Sequence, residues 1–306
     1  MTRGIYLVAN DKVIENAITL LKSIRYYDAE VPVCLIPFNE DYHKVAAALA
    51  KYGVEIFPEL QFIDNFTNKI AEIFDRDFLA LPNKMRKFVL WFGPFDQFLY
   101  IDTDIIVFEK IANVLDYLTN FEFVCCDYHY KNRKLNDVFS LLVLEKAIFS
   151  QNQLQDVFNS GFWASKKGIF SQEKLYELLK ECAQHREYFD FSAKTTDQPI
   201  LNYIILKSTQ NRLNLVKLSD KEPGSWAGSK HFQEKNHILY DGEKPLRYLH
   251  WAGMPMIPGG AYREIWEYYR YLGETKPTDV SLTKKSLNWW QKLVNKIKKK
   301  IGRAHV

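Results

Sequence analysis

Short solid apolar runs alternate with helical stripes along the first third of the chain. Ile5-Tyr6-Leu7-Val8-Ala9 is such a run, closed by Asn10-Asp11, and it predicts a strand buried on both faces with a polar end. Ile14, Ala17, Ile18, Leu21 and Ile24 recur at helical spacing, which predicts an amphipathic helix to Tyr27. Val31 to Pro37 predicts a second strand, Glu40 to Tyr52 a helix stopped by Gly53, and Val54 to Phe57 a third strand stopped by Pro58. Strands alternating with helices in this way predict a parallel α/β sheet with right-handed crossovers.

Gln61 to Pro82 is mixed and follows no single period. Asn83 to Phe92 reads as a helix with Lys84, Arg86 and Lys87 near its start. Gly93-Pro94 then leads into Phe98-Leu99-Tyr100-Ile101-Asp102-Thr103-Asp104-Ile105-Ile106-Val107, an apolar run on both sides of two carboxylates. Burying an unpaired carboxylate is costly, so the chain is expected to leave the sheet at Asp102. Both acids then stand at a strand's C-terminal end, where open α/β sheets bind ligands. Two carboxylates at this spacing suit a hard divalent cation, Mn²⁺ or Mg²⁺.

Further on, Ile111 to Leu118 reads as a short helix and Phe121 to Cys126 as a strand. Asp127 to Asp156 is a long excursion, polar and aromatic at first, then helical from Val138 to Phe149. Asn159 to Ser165 is a strand with a polar entry, and Gln172 to Glu187 an amphipathic helix. Thr195-Thr196-Asp197-Gln198-Pro199 opens a helix to Lys207 with Thr196 as N-cap. Asn214 to Leu218 is a strand, Ser219 to Glu243 irregular, Leu246 to Trp251 a last strand, and Tyr262 to Leu272 an aromatic helix.

Composition narrows the classes. With 306 residues and 47% apolar content, the chain can bury a large core. Neither G-x-G-x-x-G after the first strand nor G-x-x-x-x-G-K-[ST] occurs, which argues against a dinucleotide fold or a P-loop enzyme. Cys34, Cys125, Cys126 and Cys182 lack zinc-ligand spacing and read as reduced thiols of a cytoplasmic protein. The first apolar run is too short for a signal peptide, and no run reaches transmembrane length.

Eight lysines and arginines and no acid lie between Lys284 and Val306, so the formal charge of +4 leaves the rest of the chain at −4. A mildly acidic body argues against nucleic-acid binding. Leu287, Trp290, Leu293, Val294, Ile297 and Ile301 recur at helical spacing, with Lys292, Lys296, Lys299 and Lys300 around them. Residues 281–306 are therefore expected to form a basic amphipathic helix that lies on an anionic membrane, placing the protein peripherally on an inner face. A disordered tail, or a helix packed on the body, is the alternative.

Polar islands at the ends of apolar segments carry the candidate chemistry: Asn10-Asp11, Asp102 and Asp104, Asn159-Ser160-Gly161, Asp197-Gln198, and His250. Two Asp and a distant His suit a metal site with positions left open for phosphate oxygens. Asn, Asp and Gln supply the paired donors and acceptors that sugar hydroxyls need. A strand followed by D-x-D also occurs in haloacid-dehalogenase-like phosphatases. Those place the motif near the N-terminus with Thr or Val four residues after the first Asp, whereas here that position is Ile106 and a hundred residues precede the motif.

The order of these motifs resembles the GT-A glycosyltransferases, most closely the glycogenin-like family 8 enzymes, over residues 4 to 270. The likeness rests on Tyr100-Ile101-Asp102-Thr103-Asp104, Asn159-Ser160-Gly161, Asp197-Gln198-Pro199-Ile200-Leu201-Asn202 and His250-Trp251-Ala252-Gly253. It implies a GT-A fold: a mainly parallel Rossmann-like sheet flanked by helices, in one domain over 1–280. Residues 1–126 would form a nucleotide-binding half and 127–280 an acceptor and sugar half. It implies that Asp102, Asp104 and His250 hold Mn²⁺ or Mg²⁺, and that Asp102 and its neighbour Thr103 touch the ribose. Ala9, Asn10 and Asp11 would meet the nucleoside, and Lys87, with Lys84 and Arg86 as alternatives, would contact the donor. Asn159 and Asp197 would bind donor sugar hydroxyls, with Gln198 beside the reactive anomeric carbon. The implied activity is metal-dependent transfer from a nucleotide-sugar, UDP-linked, with retention, to a glycan, lipid-linked or protein acceptor. One departure stands out: where the family follows H-x-x-G with Lys-Pro-Trp, this chain reads Met254-Pro255-Met256-Ile257-Pro258. That favours the alternative of a non-catalytic GT-A-like protein that binds a nucleotide-sugar or glycan, while the intact D-x-D and His250 favour an enzyme.

Overall fold

A computed structural model describes residues 1–126, 138–189 and 194–276 of the chain. Its strands are β1 (Arg3–Ala9), β2 (Val33–Pro37), β3 (Val54–Ile56), β4 (Gln97–Ile101), β5 (Ile105–Val107) and β6 (Phe123–Cys125). They continue with β7 (Phe162–Lys166), β8 (Arg212–Asn214), β9 (Gln233–Lys235), β10 (Ile238–Asp241), β11 (Lys244–Pro245) and β12 (Tyr248–His250). The helices are α1 (Ile14–Tyr27), α2 (His43–Ala50), α3 (Leu60–Ile73), α4 (Leu142–Glu145), α5 (Gln151–Leu154), α6 (Gln172–Gln184), α7 (Asp197–Ser208) and α8 (Arg263–Arg270). Met1–Arg270 form one compact unit. The membrane helix expected over 281–306 lies outside the described residues.

Seven strands make the main sheet in the order β3-β2-β1-β4-β7-β6-β8. All neighbours are parallel except at β7, which runs antiparallel to both β4 and β6. This is the mainly parallel sheet flanked by helices that the motif order implies, with its departure from parallel order at β7. The reason lies in the connection between β6 and β7, whose described residues hold two short helices, α4 and α5, and no long crossover helix. The chain therefore enters β7 at the end of the sheet where β4 leaves it, with Phe162 opposite Ile101.

Alternation along the strands feeds two cores, one on each face. Ile5, Leu7, Leu99 and Ile101 pack with Ala17, Leu21 and Ile24 of α1. Tyr6, Phe98, Tyr100 and Trp163 face the other way and pack with Phe66, Phe88, Trp91 and Tyr203. Trp163 stacks on Trp91 at 5.2 Å and on Phe123 at 5.5 Å between ring centroids. Much of the chain's 15% aromatic content is thus core. A third cluster joins Ile106 and Leu249, on paired strands β5 and β12, to Trp251, Ile265, Trp266 and Tyr269.

Several spans differ from the sequence reading. The unplaced stretch after Pro58 holds α3, an amphipathic helix whose fully buried positions are only Ile63, Phe66 and Ile70. Pro82–Phe92 is a 3₁₀ helix rather than an α-helix, and all of Met85 to Trp91 is buried. Between Val138 and Phe149 only α4 is helical. The strand expected over Asn214 to Leu218 ends at Asn214, whose side-chain oxygen accepts from Val216 N–H at 3.4 Å and opens a 3₁₀ turn. The irregular Ser219 to Glu243 contains a hairpin, β9 to β10, turned by Asn236 and His237 at φ 52° and 63°. Thr196 occupies the N-cap of α7 without a side-chain capping bond. All four cysteines are buried, and burial pushes the Cys34 thiol up to about 12. No described helix is long and apolar enough to cross a membrane.

The stacked aromatic face carries a large share of the burial beneath the site. Trp163→Ala should destabilise the protein by about 3–5 kcal/mol, read as a lowered urea midpoint. A loss under about 1 kcal/mol would show that this face is not a packed core.

Candidate metal and sugar site

Asp102 is the first residue after β4, and Asp104 the last before β5. The run therefore does leave the main sheet at the first carboxylate. Its continuation, β5, pairs antiparallel with β12 instead, and this register sets His250 opposite Ile105. Trp251 N–H donates to the Asp104 carbonyl at 3.0 Å and closes the arrangement. His250 Nε2 lies 3.2 Å from Asp104 Oδ1 and 4.0 Å from Asp102 Oδ2. One ligand atom from each of the three residues lies within 4.8 Å of the others. Burial pushes His250 down, but Asp104 and then Asp102 outweigh it and hold the imidazole above its ordinary range. Burial likewise raises Asp104, and His250 outweighs it, keeping that carboxyl low.

Gly161 is what allows the three to converge. A Cβ there would stand 2.4 Å from His250 Cε1 and 2.7 Å from Asp102 Oδ2. Asp102 N–H donates to the Gly161 carbonyl at 2.8 Å, so the backbone of β7's entry is fastened against the motif. Two carboxylates and one imidazole are the donor set of a hard-to-borderline divalent cation. Asp102, Asp104 and His250 fit Mn²⁺ or Mg²⁺, and these three residues would hold it.

Beside the triad stands Lys87, with 7% of its side chain exposed. Its ammonium lies 2.8 Å from Asp197 Oδ2 and 3.5 Å from Asp102 Oδ1. It also donates to the Ser160 carbonyl at 3.3 Å and sits 4.5 Å over the Tyr100 ring. Burial alone would lower Lys87; Asp102 and Asp197 outweigh it and raise it well above the usual lysine range. Asp197 is pushed up by burial and held low by Lys87, with Lys84 adding to the effect.

The strap Asn159-Ser160-Gly161 is bound to the start of α7. Ser160 Oγ donates to Asp197 Oδ2 at 2.8 Å. Asn159 Nδ2 and Ser160 N–H both donate to Gln198 Oε1, at 3.0 and 3.1 Å. The backbone N–H settles which end of the Gln198 amide is oxygen. Asn202, fully buried, holds Phe158 by both its N–H and its carbonyl, at 2.8 and 2.9 Å. A cavity of about 380 Å³ opens over these groups, lined among others by Val8, Lys84, Lys87, Asp102, Asp197 and Gln198.

Asn159, Asp197, Gln198, Lys87, Asp102, Asp104 and His250 are thus brought together, and Thr103 lies in the turn between the carboxylates. Ala9 and Asn10 stand at the end of β1 beyond Val8, and Asn10 Oδ1 accepts from Lys12 N–H at 3.1 Å. Asp11 Oδ1 accepts from Val45 N–H at 2.9 Å, in the first turn of α2. Arg86 turns away from the cavity, bonding Asp64 at 2.9 Å and Thr67 and the Pro37 carbonyl at 3.0 Å. Two residues of the motifs, given no role from sequence, also contribute. Tyr100 OH donates to Asp102 Oδ1 at 2.5 Å, which strand period two signals because residues 100 and 102 share a side. Ser160 fastens Asp197, and no spacing rule reveals that contact.

No protein-family model matches the chain, and no curated protein matches it in sequence. Solved structures do share its fold. Galactosyltransferase LgtC, in complex with donor and acceptor sugar analogs, superposes with a TM-score of 0.59 at 14% identity, over 90% of this chain and 98% of that one. The bifunctional glycosyltransferase WbbM gives 0.58 at 13% identity over 89% of this chain, which spans half the length of that structure. Glycosyltransferase GlyE of Streptococcus pneumoniae gives 0.51 at 15% identity over 88% of this chain and 61% of its own. Identities this low carry the fold and nothing finer. The chain has the GT-A fold of glycosyltransferases.

Proposed function

We propose that this protein is a metal-dependent glycosyltransferase that moves a sugar from a nucleotide-sugar, UDP-linked, to an acceptor hydroxyl. The observation that carries the reading is one of adjacency: a divalent-cation donor set stands beside a cavity walled by hydrogen-bonding groups. The glycogenin-like motif order, which points to family 8, supports UDP and transfer with retention. Residues 1–126 would supply the nucleotide side, through Ala9, Asn10, Asp11 and Thr103, and 127–280 the sugar and acceptor side. The acceptor class, glycan, lipid-linked or protein, is left open by this site.

When bound, Mn²⁺ or Mg²⁺ supplies charge stabilisation for the diphosphate that departs. The chain's own groups do the rest. Lys87 holds Asp102 and Asp197 at fixed positions. Asp197 commits Oδ2 to Lys87 and Ser160 and turns Oδ1 to a donor sugar hydroxyl, with Asn159 beside it. Gln198, its Oε1 pinned by the strap, offers Nε2–H near the anomeric carbon. The second reading, a nucleotide-sugar-binding protein without turnover, is favoured by the uncharged segment Met254 to Pro258. Release of UDP from a panel of UDP-sugars with Mn²⁺ supports the enzyme; binding without any release supports the second reading.

The tail over 281–306 would place this site at an anionic inner membrane face of the cytoplasm, with each surface lysine adding about 1 kcal/mol. The full chain should co-sediment with anionic vesicles at low salt, and a chain ending at Val280 should not. Equal partitioning of the two would remove the tail as anchor.

Asp104→Asn should weaken Mn²⁺-dependent UDP binding by about 100-fold in calorimetry with the melting temperature little changed. Gly161→Ala should do the same although it removes no ligand, because the methyl displaces His250 and Asp102. Unchanged affinity in both variants would show that the triad is not the metal site.

Metal competes with the proton that Asp104 and Asp102 favour on His250. Mn²⁺ affinity should therefore rise about tenfold per pH unit below the raised His250 value and level off above it. The stability that protonated His250 lends the metal-free protein runs the other way. It is complete below the ordinary imidazole range and lost as pH rises through the raised value. A pH-independent Mn²⁺ affinity between pH 6 and pH 8 would exclude His250 as a ligand.

A further inference from the structure

Lys84 and Lys87 stand three residues apart on the 3₁₀ helix Pro82–Phe92, where positions i and i+3 eclipse. Both line the cavity of about 380 Å³. An α-helix would set them 60° apart; the 3₁₀ form stacks them over the same opening. Their environments differ. Lys87 is buried and shared between Asp102 and Asp197. Lys84 is half-buried, and among the described residues its ammonium has no ion-pair or hydrogen-bond partner.

A count of charge shows what this cation is for. The three carboxylates of the site, Asp102, Asp104 and Asp197, would be balanced by one divalent cation and Lys87. Among the described residues that line the cavity, Lys84 is the positive group then left over to face a diphosphate. The loop after His250 supplies no substitute, since Met254 to Pro258 carries no charge. Arg263, whose guanidinium reaches that loop, is engaged by Glu267 at 2.9 Å, by the Met256 carbonyl at 3.4 Å and by the face of Trp266 at 3.9 Å.

We propose that Lys84 is the substrate's second cation, binding an anionic group of the donor that the metal and Lys87 leave unneutralised. This rests on the reading of the cavity as a nucleotide-sugar site. Two sources share that chemistry. One is the diphosphate. The other is a carboxylate on the transferred sugar, because Lys84 shares its wall with Asp197 and Gln198, the groups placed at the sugar.

The test is calorimetry of the full chain in Mn²⁺ with UDP, UDP-glucose and UDP-glucuronate. It compares wild type with Lys84→Gln, Lys84→Arg and, as a control, Lys174→Gln, an exposed lysine paired with Glu177 on α6. Lys84→Gln should bind all three ligands about tenfold more weakly, with Lys84→Arg within about twofold of wild type and the control unchanged. A loss confined to UDP-glucuronate assigns the anion to the sugar. Wild-type affinity of Lys84→Gln for all three ligands overturns the proposal. A wild type that binds none of them overturns the nucleotide-sugar reading and this proposal together. Thermal melts of each variant show that weaker binding is not unfolding.

Discussion

A buried ammonium is costly unless its surroundings repay the loss of water, and Lys87 is repaid from four directions. Asp197 and Asp102 give it charge, the Ser160 carbonyl takes a hydrogen bond, and the Tyr100 ring lies beneath it. Lys87 itself lies on the 3₁₀ helix before β4, and its partners come from the end of β4, the entry of β7 and the first residue of α7. Each group can stay buried only while the others stay in place. Losing one partner would strand a charge in a low-dielectric interior, and that penalty exceeds the worth of an ordinary surface ion pair several-fold. The network is therefore a clamp on four chain segments that share no local sequence.

The clamp closes only because of topology. In a purely parallel sheet every strand would present its C-terminal end at the ligand side, and Asn159-Ser160-Gly161 would lie at the far edge. Reversing β7 delivers its N-terminal residues beside the C-terminal end of β4, so the Gly161 carbonyl can receive Asp102 N–H. A second reversal acts on the other flank. β12 pairs antiparallel with the strand that continues from the carboxylates, and its last residue is His250. Two local departures from parallel order thus bring the strap and the imidazole to one turn of three residues.

Much of this was readable from residue patterns, and the unread part has a physical cause. The strand ending at Asp102 follows from the cost of burying carboxylates, and α1 follows from a clean stripe of five apolar residues. Helix α3 was opaque because only Ile63, Phe66 and Ile70 are fully buried, while polar residues intrude between them. The reversal of β7 was opaque because strand direction is set by the connection, and the helical pattern over Val138 to Phe149 does not reveal that only the short α4 forms there. Among the site residues, Asp102, Asp104, Lys87, Asn159, Asp197, Gln198 and His250 do converge. Which of the three neighbouring cations points inward could not be decided by α-helical spacing. Pro82–Phe92 is a 3₁₀ helix, so Lys84 and Lys87 share a face and Arg86 is turned to Asp64.

Exposure within the site is graded, and the gradient fixes the side from which a ligand arrives. His250 and Lys87 keep 3% and 7% of their side chains accessible, while Asp102 and Asp104 keep 32% and 34%. The groups that hold geometry are thus sealed against the core, and the groups that would meet a hydrated cation reach solvent. A cation held here would exchange water for the carboxylate oxygens of Asp102 and Asp104, on the side of the site that reaches solvent. Orientation fixed before the ligand binds is what makes such dipoles and charges effective, since none has to reorganise as charge shifts in the substrate. Asp102 is the hinge of the gradient. One of its oxygens accepts from Tyr100 and faces Lys87, and the other faces His250. A single carboxylate therefore couples the sealed clamp to the open candidate metal site, and a shift of either would be felt by the other through that residue.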